Sequence, residues 1–222
     1  MESRPRALDS AARTPGTAGS IGRPDVGVAV PFPVVPALAE LRRDALACTR
    51  CPLAGGRTQV VFGVGDPAAD LLFVGEGPGE QEDLQGEPFV GRSGRLLDRL
   101  LHEEVGIGRE QVYIANVVKC RPPANRDPRP EEVAACRPWL ETQIELIEPR
   151  VIVTLGNFAA RLLLDTTEGI KTLRGRSYPY GQAFVVPTYH PSYVLRSGSV
   201  GATMAGIRAD LIRAKEHLAV AV

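Results

Sequence analysis

The side chains with the clearest chemical signature are four cysteines, Cys48, Cys51, Cys120 and Cys136. The first two form a C-x-x-C pair, and fifteen residues separate the other two, far downstream. One close pair with two distant thiols favours a metal or cluster site over disulfides. Four thiolates suit zinc and an iron–sulfur cluster alike, so the spacing leaves both open. Four unrelated core cysteines are the remaining interpretation, because free cysteine is often buried.

A second chemical signature is the loop GEGPG at residues 75–79. Its glycines let backbone N–H groups approach a ligand closely. The phosphate-binding pattern GxxxxGK[ST] is absent, and the carboxylate of Glu76 would repel a phosphate. Glu80, Glu82 and Asp83 follow directly. We therefore predict a carboxylate that positions water or stabilises a cation, with a solvated turn as the alternative.

Three further side chains are candidates for reading a ligand. Phe89 lies between a proline and glycines, which predicts either a core contact or a platform for a planar base. Asn116 interrupts an apolar strand pattern, so its amide must find a partner, and a uracil edge offers one donor and one acceptor. His190 precedes a proline, which holds it extended after a strand.

Apolar patterns predict alternating strands and helices. Four runs, DLLFVGE, VYIANVVK, VIVTLG and FVVPTYH, are typical of buried strands, and helical patterns lie between and after them. This order predicts a three-layer α/β/α sandwich with a central, mostly parallel four-stranded sheet. Ligands bind beyond the carboxyl ends of such strands, so the loops after the first, second and fourth strands should form the site. Ser93 is predicted to cap the helix after the glycine loop.

The composition separates an N-terminal tail from the rest of the chain and limits the class of protein. Residues 1–35 are rich in Pro, Gly, Ala, Ser and Arg and predict a disordered tail, which leaves residues 36–222 as one domain. Basic and acidic residues balance at 26 each, which disfavours DNA binding by overall charge but allows a local basic face. No apolar stretch is long enough to cross a membrane, and no secretory signal is seen. We expect a cytoplasmic protein with reduced thiols.

Taken together, the motifs resemble those of the family 4 uracil-DNA glycosylases, the iron–sulfur members of the uracil-DNA glycosylase superfamily. The resemblance covers residues 37–218. It rests on GEGPGEQED, GEPFVGRSG, YIANVVKCRPPANRDP, VIVTLG and HPSYVLR, in this order and with this cysteine spacing. The combination is specific, whereas no single motif would be.

The resemblance implies a monomeric base-excision repair enzyme that flips uracil out of DNA and hydrolyses its N-glycosidic bond. It implies a [4Fe-4S] cluster that acts as a scaffold. It also implies that Glu76 orients water, with Glu82 as the second choice, and that His190 stabilises the departing uracil anion. The implied cluster ligands are Cys48, Cys51, Cys120 and Cys136.

The same resemblance assigns the binding residues. Phe89 stacks on the flipped base, and Asn116 hydrogen-bonds its polar edge. Backbone N–H groups of the glycine loop, which includes Gly77, bind a uracil carbonyl. Asn125, in the segment RPPANR, supports that loop, and Ser192 contacts the substrate as part of the segment that enters the duplex.

The chain departs from two other branches of the superfamily. The best-known branch has an aspartate and a tyrosine where Gly77 and Gly79 stand here, so discrimination against thymine falls to Phe89 and the backbone. A related branch bonds covalently to DNA through a histidine in an inserted loop, but GIKTLRGRSYPYGQ has no histidine and is expected to form a strand or hairpin. Its cations predict either a DNA-backbone contact or a solvated surface; they are Lys171, Arg174 and Arg176.

Three alternative functions stay open from the sequence. One is a non-catalytic or covalent uracil-DNA-binding iron–sulfur protein. The others are a four-cysteine redox sensor and a zinc-stapled enzyme that binds a nucleotide at the glycine loop.

Overall fold

A six-stranded sheet lies at the centre of the computed structural model, which describes residues 34–198 and 201–219. The strands are β1 Val64–Gly65, β2 Leu71–Gly75, β3 Tyr113–Asn116, β4 Val151–Leu155, β5 Tyr178–Tyr180 and β6 Ala183–Thr188. Their order in the sheet is β1-β3-β2-β4-β6-β5. The four inner strands are parallel, whereas β1 and β5 pair antiparallel at the two edges.

This sheet confirms the predicted α/β class and its mostly parallel pairing. The predicted count of four strands was wrong, because the structure adds the two edge strands. These strands have only two and three residues, too few for an apolar pattern to stand out.

Helices cover both faces of the sheet, as in a three-layer sandwich. The helices are α1 Val34–Leu46, α2 Glu80–Gln85, α3 Arg92–Leu100, α4 Pro130–Ile147, α5 Asn157–Leu164, α6 Ile170–Leu173, α7 Pro191–Arg196 and α8 Ala202–Ala219. The apolar side chains of each inner strand alternate between the faces, so that Leu72 and Val74 pack with α1 and α4 while Leu71 and Phe73 pack with α3 and α8.

The structure bears on two boundaries predicted from the sequence, the end of the N-terminal tail and the start of α3. Residues 1–33 of the predicted tail lie outside the described residues. Helix α3 begins at Arg92, after Gly91 at the cap position, so the prediction of Ser93 as the cap was wrong. None of the helices in the described ranges is long and apolar enough to span a membrane.

The carboxyl ends of three parallel strands bring the chemistry-bearing loops to one edge of the sheet. Strand β2 ends at Gly75, β3 ends at Asn116, and β6 ends at Thr188, two residues before His190. Each polar segment singled out in the sequence therefore follows a strand whose position is fixed by the buried sheet.

Candidate functional site

A cavity of about 390 Å³ opens at this edge of the sheet. Its volume lies in the range of small-ligand sites. All eight residues predicted to act on or bind the substrate line it. They are Glu76, Gly77, Glu82, Phe89, Asn116, Asn125, His190 and Ser192.

The floor of the cavity is a close contact between Gly75, Phe89 and Asn116. A methyl group on Gly75 would lie 2.6 Å from Cζ of Phe89 and closer still to Oδ1 of Asn116. Only glycine fits there, because real Cβ atoms do not approach other heavy atoms so closely. The backbone of β2 thereby holds the aromatic ring and the amide together.

Asn116 is a buried amide whose oxygen lacks a partner. The residue is 1 % exposed, and Oδ1 has no hydrogen bond within the described part of the chain. An unsatisfied buried acceptor costs about 1–3 kcal/mol, so its retention calls for a ligand that donates to it. The N3–H of uracil is such a donor.

The loop that carries Phe89 is clamped from two sides. Phe89 has φ +56, in the left-handed region that is unfavourable for a side chain of this size. Arg109 donates to the carbonyl of Phe89 at 3.1 Å and to that of Pro88. Oε1 of Glu82 accepts from the backbone N–H groups of Val90 and Gly91 at 3.1 and 2.9 Å. Sequence reasoning missed Arg109, because it lies twenty residues from Phe89 with no motif around it.

His190 is held as a neutral imidazole. Its Nδ1 accepts the backbone N–H of Ser192 at 3.1 Å, so the proton of the neutral ring is on Nε2. Burial, followed by the positive charge of Arg196, lowers the pKa of His190 to about 4. The ring lies 5.6 Å from that of Phe89, centroid to centroid. At neutral pH His190 is therefore a hydrogen-bond donor beside the position of the base.

Glu76 is a partly buried carboxyl with an altered acidity. Burial, followed by the negative charge of Asp127, raises the pKa of Glu76 to about 7, while Arg196 lowers it. Asp127 and Arg196 line the same cavity. Sequence reasoning had not selected Asp127, although it stands in the CRPPANRDP segment, because its place beside Glu76 depends on how that loop folds back.

The loop after β3 closes one side of the cavity. Glu132 accepts two hydrogen bonds from Arg126, at 2.8 and 2.7 Å, and one from the backbone of Arg129. Oδ1 of Asn125 accepts from Nε of Arg121 at 2.7 Å. This bond joins two residues of the same loop, and Asn125 also lines the cavity.

The four cysteines line a second, small cavity on the α1 and α4 side of the sheet. None of them forms a disulfide. Two N–H groups donate to sulfur: Nη1 of Arg57 to Cys120 at 3.3 Å and the backbone of Lys119 to Cys136 at 3.2 Å. Such donors stabilise thiolates that are bound to iron.

The side chains that line this cysteine cavity fit a bound metal cluster. Trp139 lines the same cavity, and its buried Nε1 has no partner among the described residues. Burial raises the pKa of the Cys136 thiol to about 11, so a cation must replace the proton for the thiolate to form there. No group of three or more His, Cys, Asp or Glu side chains in residues 34–198 and 201–219 is placed to hold a single metal ion.

The GIKTLRGRSYPYGQ region is part helix and part hairpin. It forms α6, then β5, which pairs with β6, so the expected hairpin is present but begins later. Arg174 donates to Asp210 at 3.0 Å and to the Gly206 carbonyl at 2.8 Å, and it stacks on Tyr189. Lys171 lines a groove of about 490 Å³ beside the first cavity. Arg174 therefore braces the fold, and Lys171 faces open space.

Comparison with known proteins gives consistent matches. Residues 62–211 match the family described as the Uracil DNA glycosylase superfamily. The chain is 54 % identical over 154 residues to the type-4 uracil-DNA glycosylase of Thermotoga maritima, which covers 68 % of this chain and 80 % of that protein. The Sulfurisphaera tokodaii type-4 enzyme is 43 % identical over 71 % of this chain and 76 % of its own length. A type-5 uracil-DNA glycosylase of Thermus thermophilus is 36 % identical over 66 % and 83 %, respectively.

Proposed function

Since the chain belongs to the type-4 uracil-DNA glycosylases of the uracil-DNA glycosylase superfamily, we propose that it excises uracil from DNA and so begins base-excision repair. The observation that carries this proposal is the unpaired Oδ1 of Asn116, which lies beside the Phe89 ring in the cavity. The substrate is uracil-containing DNA, whose base must leave the stack to enter.

The cavity can read uracil through shape and hydrogen bonds. The Phe89 ring offers a stacking face, and Oδ1 of Asn116 accepts the N3–H of the base. Cytosine has no N3–H, so it would leave this buried acceptor unpaired. Thymine carries a methyl group at C5. The Phe89 loop is held by hydrogen bonds and has little freedom to move aside for this methyl group. We propose that backbone N–H groups of the loop that includes Gly77 bind a carbonyl of the base.

Breaking the N-glycosidic bond sends its electron pair to N1 of uracil and leaves a cationic sugar. The Nε2–H of His190 stabilises the uracil anion by donating a hydrogen bond to O2. A neutral donor suits this task, because its proton stays on the ring. Ser192 fixes the tautomer through its backbone N–H.

Glu76 is the group that acts on the sugar side. Its carboxylate stabilises the sugar cation and orients the water that attacks C1′. As the new C–O bond forms, the water passes a proton to the Glu76 carboxylate. Glu82 takes a different role, because its Oε1 already accepts two backbone N–H groups of the Phe89 loop. We therefore assign Glu82 to positioning Phe89, and Glu76 to the water.

The cysteine cavity is proposed to hold a [4Fe-4S] cluster on Cys48, Cys51, Cys120 and Cys136. Support comes from the four free thiols, the two N–H···S bonds and the unpaired indole of Trp139. When bound, the cluster supplies four iron–thiolate bonds that tie the end of α1 to α4 and to the turn after β3. Its role is a scaffold for the Asn116 strand. Purification without oxygen should give a brown protein with iron and sulfide, whereas a colourless protein with stoichiometric zinc would contradict the cluster.

We propose that the chain acts as a monomer. A basic and aromatic surface borders the cavity, with Arg196 and Tyr193 exposed on α7. This surface is proposed to face the DNA strand that carries the flipped base.

The direct test is release of free base from oligonucleotides with a single uracil, hypoxanthine or xanthine. We expect uracil release that leaves an alkali-labile site. Intact uracil DNA at enzyme excess would contradict the proposal, and tight binding without release would favour the non-catalytic alternative. A protein–DNA adduct that survives denaturation would favour the covalent one.

His190→Ala, measured in the same assay, tests the stabilisation of the uracil anion. We expect its rate to fall by about 10²–10³, the typical cost of removing one donor from a developing anion. His102→Ala is the matched control, because His102 is exposed far from the cavity and its loss should leave the rate unchanged.

A further inference from the structure

Lys119 is a buried lysine that the proposed chemistry does not use. It is 2 % exposed. Its Nζ donates to the backbone carbonyl of Asn116 at 2.9 Å and to Oε1 of Gln143, and it lies 5.9 Å from the centre of the Phe62 ring. Among the residues that the structure describes, no carboxylate forms a salt bridge with it. A buried ammonium with neutral partners alone is costly, so its retention calls for a negative group nearby.

The negative group lies on the cysteine side. Lys119 lines the cysteine cavity, and its backbone N–H donates to Sγ of Cys136 at 3.2 Å. A [4Fe-4S] core of charge about +2 on four thiolates has a net charge of about −2, and a buried charge of this size needs compensation. Three cations line this cavity, Lys119, Arg57 and Arg50, and Nη1 of Arg57 donates to Sγ of Cys120.

The other end of the same side chain reaches the base-reading strand. The ammonium fixes the peptide of Asn116, and Gln143, its second partner, is anchored in turn on the Phe62 carbonyl at 3.0 Å and on the Tyr113 hydroxyl at 3.3 Å. The next two peptides of the strand pair with the glycine loop, Val117 with Gly75 and Val118 with Glu76. The segment that carries Lys119 therefore lines both cavities, the first through Asn116 and Pro122 and the second through Lys119 and Cys120.

We propose that Lys119 is a positioning residue that couples the cysteine site to the base-reading Asn116. Its ammonium offsets the negative charge of the cluster and, through the same nitrogen, holds the Asn116 peptide in register with the glycine loop. The proposal rests on the proposed function and on the proposed cluster.

The test is Lys119→Met, which keeps an unbranched side chain one atom shorter and removes the charge and the donors. Two quantities are measured on the cluster-loaded protein: the midpoint reduction potential, followed by electron paramagnetic resonance, and the dissociation constant of free uracil, from calorimetry. We expect a more negative potential, because a buried positive charge favours the reduced cluster. We also expect uracil to bind about tenfold more weakly, since a charge-assisted hydrogen bond that positions Asn116 is lost. The matched control is Lys215→Met at an exposed lysine, which should change neither quantity.

A second variant, Gln143→Glu, tests the proposal if Lys119→Met does not fold. Gln143→Glu has the same shape and places a carboxylate on the intact lysine. We expect it to lower the reduction potential in the same direction, with a smaller effect on uracil binding, because the bond from Nζ to Asn116 remains. An unchanged potential in either variant would overturn the proposal, and so would unchanged uracil binding in Lys119→Met.

These outcomes are separate from failure of the proposed function. A wild-type protein that releases no uracil, or that carries no iron, would contradict the function or the cluster directly. A brown, active wild type whose Lys119→Met variant keeps both the potential and the uracil affinity would contradict the coupling alone.

Discussion

The acidity of Glu76 predicts how the rate of base release depends on pH. Burial and the charge of Asp127 raise the pKa of Glu76 from 4.5 to about 7. The carboxylate, not the acid, stabilises the sugar cation and orients water. The rate should therefore rise with pH as the carboxyl loses its proton.

The size of the effect follows from the ionised fraction. With a pKa of about 7, about 9 % of Glu76 is ionised at pH 6 and about 91 % at pH 8, so the rate should rise about tenfold between them. An unperturbed carboxyl would be almost fully ionised at both values, and the rate would stay flat. His190 adds no change in this range, because its pKa of about 4 keeps the ring neutral throughout.

The assay is single-turnover uracil release with enzyme in excess, measured from pH 5.5 to pH 8.5 at constant ionic strength. The charges facing Glu76 give two variants with opposite expected shifts. Asp127→Asn removes a negative charge and should move the midpoint to lower pH. Arg196→Met removes a positive charge and should move it to higher pH. Glu76→Gln should lower the rate by a factor of about 10²–10⁴ and abolish its dependence on pH. Glu216→Gln, at an exposed position on α8, serves as the control.

A flat wild-type profile between pH 6 and pH 8 would refute this reasoning. A midpoint that persists in Glu76→Gln would assign the titration to another group. Shifts of the same sign in Asp127→Asn and Arg196→Met would show that neither acts through the charge on Glu76.

Three further predictions follow from the same contacts. Gly75→Ala should abolish uracil binding in calorimetry, because its methyl group would displace Asn116 and Phe89, whereas Gly55→Ala, which meets nothing within 4 Å, should bind normally. Arg109→Met should raise KM more than it lowers kcat for uracil DNA in steady-state kinetics. The substitution removes the hydrogen bonds to the Phe89 and Pro88 carbonyls, which hold the loop that carries the stacking ring. An unchanged KM would contradict this role of Arg109. Cys136→Ala should lose the brown colour and lower the melting temperature by several degrees, because a structural metal centre contributes folding free energy; full iron content in that variant would exclude Cys136 as a ligand.

Much of the candidate site follows from the sequence because its residues stand in local motifs. The glycine loop, Asn116 and His190 each follow a buried strand, and parallel strands bring their carboxyl ends to one edge. The apolar runs are long enough to predict those strands. Edge strand β1 escaped prediction, and β5 was expected only as part of a strand or hairpin outside the four-stranded sheet, because their pairing depends on neighbours rather than on their own pattern.

The supporting contacts could not be predicted, because they join residues that are distant in sequence. Lys119 meets Gln143 across 24 positions, and Arg109 meets Phe89 across 20. A lysine next to a cysteine also looks like a surface residue until the fold buries it. Asp127 is a similar case, since only the folded loop brings it beside Glu76.

The most direct test of the central claim is single-turnover uracil release by Asn116→Ala beside the wild type, on one oligonucleotide and with equal iron content. The account predicts release by the wild type and a loss of about 10²–10³ in the variant, which keeps its brown colour, because the unpaired Oδ1 of Asn116 is the acceptor that reads uracil. A variant that releases uracil at the wild-type rate would contradict the account.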